Sequence, residues 1–221
     1  LAPQMADPTK SFLEDRLQGR GQVGVCTDFV SHAWCGDFLD LVEALHTEAA
    51  ERDRNRTAKG LPPNAKIRYY WIDVFVEPHL EALCQPTMRA RRSREYMSGA
   101  FRRGIAEISR TIHVFCHVSI SSFPSLRRAW CLHELMCTVE TEGAELIIAV
   151  SRADQTRIAN ILRRGSADIY RFLRFANRVD FENSDAFVKA EAAMIQSLVL
   201  GMERDPSDRI CKRLALAFCL L

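Results

Sequence analysis

Ile112-His113-Val114-Phe115-Cys116-His117-Val118 leads through the loop Ser119-Ile120-Ser121-Ser122-Phe123-Pro124 into Ser125-Leu126-Arg127-Arg128-Ala129-Trp130-Cys131-Leu132-His133-Glu134-Leu135-Met136-Cys137. A second apolar run, Leu146-Ile147-Ile148-Ala149-Val150, comes next. Short apolar, β-branched runs bounded by turn residues read as buried strands. The stretch between them has helical periodicity, starting near Arg128 and stopped by Gly143. Strand, loop, helix, strand is a βαβ unit, and such units build parallel sheets. One residue stands out. Glu134 is a lone carboxylate among Trp, Cys and Leu on the connecting helix.

Outward from this unit, residues 1–24 read as a polar lead-in with one short helical pattern at Ser11–Leu17. Residues 25–203 read as one α/β domain, and residues 204–221 as a further helix with Pro206 in its first turn. Within the domain, Val25–Ser31 is the first strand. Phe38, Leu41, Val42 and Leu45 follow at helical spacing, with Asp37 as N-cap. Glu51–Asn64 is charged, carries Pro62-Pro63 and reads as a loop, and Ile67–Val76 reads as the second strand. Glu77–Met97 is a long irregular connection holding Arg89, Arg91, Arg92 and Arg94, of a length that is usually functional. Phe101–Ser109 forms a helix with Ile105 and Ile108 inward, and Asp154–Arg164 another on Ile158, Ile161 and Leu162. Arg178–Phe181 supplies a fifth, edge strand, and Ala186–Leu200 an amphipathic helix ended by Gly201. The fold expected is α/β and flavodoxin-like. Its five-stranded parallel sheet has order 2-1-3-4-5, with helices on both faces and an extra C-terminal helix.

Composition narrows the function. A hydrophobic share of 48% supports a sizeable core, and a net charge of +2 gives no reason to expect nucleic acid as a partner. Of the 30 basic residues 25 are Arg, which favours bidentate carboxylate or phosphate contacts. The eight cysteines include no C-x-x-C pair, so no zinc site or other metal site is expected. Several lie in apolar runs (Cys116, Cys137, Cys219), as reduced core thiols do, and a cytoplasmic setting follows. No apolar run spans a membrane and no signal peptide opens the chain. The start at Leu1 and the apolar end, Leu214–Leu221, suggest a domain cut from a longer protein.

Ligands of open parallel sheets bind at the carboxyl ends of the strands, beside the point where strand order reverses. Here that point lies between the first and third strands. The first exits into Ser31-His32-Ala33-Trp34-Cys35-Gly36-Asp37, the third into Ser119–Ser125 and the Glu134 helix. The second exits into Asp73, Glu77 and His79. The three segments richest in polar and aromatic groups thus share one rim. A plainer reading makes Glu134 a marginal surface charge paired with Arg127 or Arg128, while Leu132, Leu135, Met136 and Val139 pack on the sheet. Cys131 and His133 do not converge on a metal site or thiol nucleophile, because helix neighbours two apart diverge, and the pair Cys35 and His32 is the weaker candidate against the plain reading. Core thiols and surface histidines suffice there. No P-loop, G-x-G-x-x-G or Ser-His-Asp pattern is present.

At Trp130-Cys131-Leu132-His133-Glu134-Leu135 the chain resembles the W-C-x-x-E-L of Toll/interleukin-1 receptor (TIR) domains. Asp28-Phe29-Val30-Ser31-His32 is similar to the family's first-strand box, and Trp71-Ile72-Asp73 to its second strand, whose aspartate leads into the BB loop. Phe101–Phe115 resembles the helix and third strand that follow. The four stand in the family's order and spacing across Val25–Ser151. Ser31-His32-Ala33-Trp34 and Arg128–Leu132 look closest to a divergent TIR-like group found in multidomain algal and protist proteins. The chain departs from the pattern in lacking L-x-x-G after Asp73 and the late Phe-Trp box.

The resemblance implies cleavage of the nicotinamide–ribose bond of NAD+, as substrate rather than cofactor, with Glu134 as catalytic residue. It implies self-association or pairing with other TIR domains, in signalling or innate defence. Ser31 and His32 then fall to the ribose or phosphate side, and Asp73 is a further substrate-binding residue. Arg128, or an arginine of the Arg89–Arg94 cluster, faces the pyrophosphate, and Trp34 or Trp130 is either a ring wall or core. The reading leans toward an NAD+ nucleosidase. A non-catalytic TIR-type interaction module is the alternative, and nucleotide sensing without hydrolysis a third.

Overall fold

The computed structural model describes residues 23–34, 36–62, 67–76, 94–119, 123–165, 167, 180, 183–185, 193, 195–197 and 206–218. Strands β1 (Asp28–Ser31), β2 (Tyr70–Trp71), β3 (Arg110–Phe115) and β4 (Glu145–Val150) form a parallel sheet of order β2-β1-β3-β4. The α/β class and the strand order 2-1-3-4 match expectation. The segment expected to add a fifth strand, residues 178–181, lies outside the described residues except for Asp180.

Side chains alternate across each strand, so every strand serves two cores. Val30, Ile112, Val114 and Ala149 face helix α1 (Phe38–Ala58), meeting Leu41, Ala44 and Leu45. The opposite face packs on α3 (Arg94–Ile108), α4 (Ala129–Glu140) and α6 (Pro206–Phe218). There Phe29 meets Phe101 and Ile105, and Phe115, Ile148 and Val150 meet Leu132, Leu135 and Met136. Helix α5 (Arg152–Arg163) touches α1, while its Ile158 and Ile161 pack into the core of the opposite face. None of the helices among the described residues is long and apolar enough to cross a membrane.

Boundaries differ from the sequence reading in ways that have causes. Helix α1 runs to Ala58, through residues read as loop. Glu48 pairs with Arg52 one turn on, and Asp53 accepts from Arg68 Nη2 at 2.9 Å, so its charged turns are held by ion pairs. Of its expected apolar stripe, Leu41 and Leu45 are buried, but Phe38 and Val42 are exposed. Asp37 is the N-cap, accepting from the Leu39 N–H at 2.8 Å. Strand β2 is short because Asp73 opens helix α2 (Asp73–Val76), its carboxylate accepting the Val74 N–H at 2.7 Å. Helix α3 begins at Arg94, inside the connection read as irregular. Ile105 is fully buried and Ile108 partly so.

Helix α4 ends at Glu140, short of Gly143, where Thr141 turns extended and its hydroxyl caps the Cys137 carbonyl at 2.8 Å. In α5, Ile161 is buried and Leu162 exposed. Residues 195–197 are helical and Ile195 is core. Ala193 is helical too; the rest of the helix expected at 186–200, residues 1–22, Cys35, Arg89, Arg91 and Arg92 lie outside the described residues.

At the amino ends of the strands, Asp28 is 1% exposed and anchors a cluster of charges. Arg110 Nε lies 3.0 Å and Arg52 Nη1 3.4 Å from its carboxylate, and the Thr27 hydroxyl donates at 2.7 Å. Deleting that carboxylate removes the buried acceptor shared by Arg52, Arg110 and Thr27, leaving Arg52 with Glu48 and Arg110 with the more exposed Glu145. Asp28→Ala is therefore expected to cost about 3 kcal/mol, read as a lowered urea midpoint at unchanged slope. A loss below about 0.5 kcal/mol, the usual range for surface substitutions, contradicts an anchoring role.

Candidate functional site

The opposite edge of the sheet carries the other polar cluster. β1 ends on Ser31, fully buried, with His32 and Trp34 in the loop that follows. β2 ends just before Asp73. β3 leads, after its loop, into a 3-10 turn, Pro124–Arg127, and then α4, which carries Glu134. The Trp34 indole N–H donates to Asp73 Oδ2 at 2.7 Å, and His32 Nδ1 lies 3.7 Å from Asp73 Oδ1. The Cys131 thiol donates to the His32 carbonyl at 3.2 Å. These contacts tie the β1 exit to both the β2 exit and α4.

Glu134 is 5% exposed, so it is no surface charge. Burial, and secondarily the Asp73 carboxylate, push its carboxyl well above the usual carboxylate range. A hydrogen bond with the Ser31 side chain opposes that rise. The pairing with Arg127 or Arg128 that a surface charge requires is not made. Arg127 is exposed, and Arg128 Nη1 lies 4.0 Å from Asp185. That neighbour also serves the helix start: the Ala129 N–H donates to the Asp185 carbonyl at 2.8 Å, satisfying one free amide of the first turn.

Ser31, His32, Trp34 and Asp73 therefore gather with Glu134, as the sequence placed them. Arg128 does so less, its charge bearing on Cys131. Trp130 belongs to an aromatic cluster beneath the sheet, its ring 5.2 Å from Phe101 and 5.9 Å from His133. Phe29 and Trp71 complete that cluster. Trp34 alone of the two tryptophans reaches the rim, 52% exposed.

Two groups escaped the sequence reading. His113, in the middle of β3 and 0% exposed, has Nδ1 3.0 Å from Ser31 Oγ and Nε2 3.0 Å from Ser125 Oγ. It faces Ser31 because the two residues are register partners. The available signal was period two: Thr111 and His113 share a face with Phe115, and Thr111 meets the Thr138 hydroxyl of α4 at 2.8 Å. A polar seam thus runs between sheet and helix. His133, expected at the surface, is also buried, its ring 3.7–3.9 Å from the Cys137 sulfur.

The electrostatics argue against Cys131 as a nucleophile. Burial, then the neighbouring Glu134, pushes the Cys131 thiol well above its ordinary value, so it stays protonated at neutral pH. Burial lifts Cys137 to about 11 and lowers His133 to about 4. Among the described residues, no group of three or more His, Cys, Asp or Glu is placed to hold a metal ion. What remains is one buried carboxyl group, supported by hydroxyls and faced by a second carboxylate. The chain matches no protein-family model, no curated protein and no solved structure.

A stability signature follows. The folded-state pKa of Glu134 lies above its unfolded value of about 4.3, so folding takes up a proton between the two. The stabilising contribution is whole below the unfolded value and is lost as pH rises through the folded one. Glu134→Gln keeps the shape of the protonated acid at every pH. It is expected to be more stable than wild type at pH 8, with the gap closing toward pH 4. Each kcal/mol gained raises Tm by about 2–4 °C in a chain of this size. Thermal melts at the two pH values check the sign.

Proposed function

We propose that this chain is a TIR-type enzyme that cleaves the nicotinamide–ribose bond of NAD+, with Glu134 as its catalytic carboxylate. The observation that carries the reading is Glu134, a buried carboxyl group beside the β1 and β2 exits with no cation bonded to it among the described residues. The buried Asp154 past β3 is instead held by the His117 and Val118 amides and by Arg157. Nicotinamide leaves as a neutral molecule from a cationic pyridinium, so its departure needs no strong acid. The remaining task is to hold the ribose while positive charge develops at its anomeric carbon. A carboxylate fixed in a dry site does this with little reorganisation. One carboxylate suffices, unlike the pair that ordinary glycosides require.

The burial that raises the Glu134 pKa also sets its response to substrate. A cationic substrate brought against the carboxyl favours its ionised form, so binding and ionisation reinforce each other. Asp73 adds negative charge on the same side. With Glu134 only 5% exposed, substrate has to displace part of the rim. The exposed Trp34–Asp73 hydrogen bond is a contact of modest cost to break, about 1 kcal/mol. Trp34 freed from it has an indole face to offer a planar ring.

A second reading has its own observation. Trp34, Phe38, Leu39 and Val42 expose apolar surface at the start of α1. Contiguous exposed apolar surface favours docking of another protein, either a second copy or another TIR domain. Docking and catalysis are compatible if assembly activates the enzyme.

The test is nicotinamide release from NAD+ by purified protein, dilute and artificially clustered. Wild type is expected to turn over when clustered, and Glu134→Ala to lose at least about 100-fold, the scale of removing one electrostatic catalytic group. Activity is expected to fall on the acid side with an apparent pKa above the ordinary glutamate range, because protonation removes the charge that the transition state needs. No turnover by clustered wild type refutes the enzymatic reading. Equal turnover by both proteins takes Glu134 out of its centre. NAD+ binding without release supports nucleotide sensing instead.

A further inference from the structure

Ser125, His113, Ser31 and Glu134 form a line from the 3-10 turn, through the sheet, to the site. Successive contacts measure 3.0 Å for Ser125 Oγ to His113 Nε2 and 3.0 Å for His113 Nδ1 to Ser31 Oγ, and the Ser31 side chain in turn acts on the Glu134 carboxyl group, favouring its ionised form. All four side chains are buried. Burial, with the nearby His32, lowers the His113 pKa to about 3, so the ring is neutral at physiological pH. A neutral imidazole has one N–H and one lone pair, and each serine has one proton. Proton positions along the line are therefore linked.

With Glu134 ionised, its carboxylate accepts and Ser31 donates to it. The Ser31 oxygen then takes its own hydrogen bond from His113 Nδ1–H. Nε2 is left as the acceptor, and the Ser125 hydroxyl donates to it. Every donor along the line points toward the carboxylate. The opposite tautomer, with the proton on Nε2, makes Ser31 donate to Nδ1 and leaves Glu134 to act as donor in its acid form.

We propose that His113 is a positioning residue for Glu134: held between Ser125 and Ser31 as the Nδ1–H tautomer, it aims the Ser31 proton at the Glu134 carboxyl group and favours the carboxylate over the acid. The other titratable groups facing this pair are Asp73 beyond β2, Cys131 on α4 and His32 beyond β1. Asp73 disfavours the carboxylate, and Cys131 is a protonated thiol bonded to the His32 carbonyl that also lies within reach of the Ser31 side chain. Among these groups, the Ser31 hydroxyl is the one that favours the carboxylate. The inference rests on Glu134 being the working group of the proposed enzyme. Its test reads ionisation rather than turnover, so the two can fail separately.

The experiment is NMR on the full chain with 15N-labelled histidine and 13C-labelled glutamate carboxyls, Glu134 being assigned through Glu134→Gln. The His113 proton is expected on Nδ1 above the Glu134 titration midpoint. Ser31→Ala is expected to move that midpoint up by about one pH unit, the scale of one hydrogen bond to a charged group. His113→Phe keeps a planar ring, lacks the donor, and is expected to move the midpoint the same way. His113→Asn places an amide N–H near the Nδ1 position and is expected to restore most of the wild-type midpoint. A merely structural role for His113 does not predict that rescue. Ser125→Ala, the mildest change, serves if His113→Phe does not fold. It is expected to raise the Nε2–H population and the midpoint together. An Nε2–H ring above the midpoint overturns the proposal. So does a midpoint unchanged in folded His113→Phe, or in Ser125→Ala if His113→Phe does not fold.

Discussion

Parallel pairing of β1 with β3 obliges both strands to end at the same edge of the sheet, and it does so in a register that sets Ser31 opposite His113. Those two facts arrange most of what lies above. Because the connection from β3 returns over the sheet as α4, its buried face is drawn down onto the strand ends. Glu134 is then close enough to bond Ser31. A shift of one residue in a parallel pair turns every side chain to the other face. Ser31 or His113, whichever strand had slipped, would then face the apolar surface of α1, where Leu41, Ala44 and Leu45 offer no polar partner.

Polar groups in this core are segregated by edge. The amino edge holds Asp28 among Arg52 and Arg110, a cluster of opposite charges with a stabilising role. At the carboxyl edge Asp154 is held by backbone amides and Arg157, whereas Glu134 lies near Asp73 with no cation bonded to it among the described residues, which destabilises the folded state as its carboxyl ionises. A protein that needed only stability would have reason to place a hydrophobe there. Perturbed ionisation at a strand-exit rim is the pattern expected of a functional site.

Several parts of this arrangement were legible in the residues. The apolar runs at Ile112–Val118 and Leu146–Val150 located β3 and β4 to within a few residues, because buried strands need continuous apolar character. The Trp130–Leu135 motif singled out Glu134. Other parts were hidden. The turns from Glu51 to Ala58 looked like loop because their partners, Arg68 and Asp28, are distant in sequence. Trp130 and Trp34 were indistinguishable as aromatics. Packing sent one into the Phe29–Trp71–Phe101 cluster and left the other on the rim.

By itself the sequence determined the class of fold, the order of its four described strands and the carboxylate on the apolar face of one helix. These depend on local periodicity and on connection rules, both of which are written in consecutive residues. Only the tertiary structure decided that Glu134 is buried rather than paired at the surface, and that His113 lies between Ser31 and Ser125. Hydrogen bonds spanning 82 and 12 positions of chain require the register of the sheet before any of the partners can be named. Desolvation likewise is a property of the surroundings, so the altered ionisation of Glu134 exists only once α4 has closed over the strands.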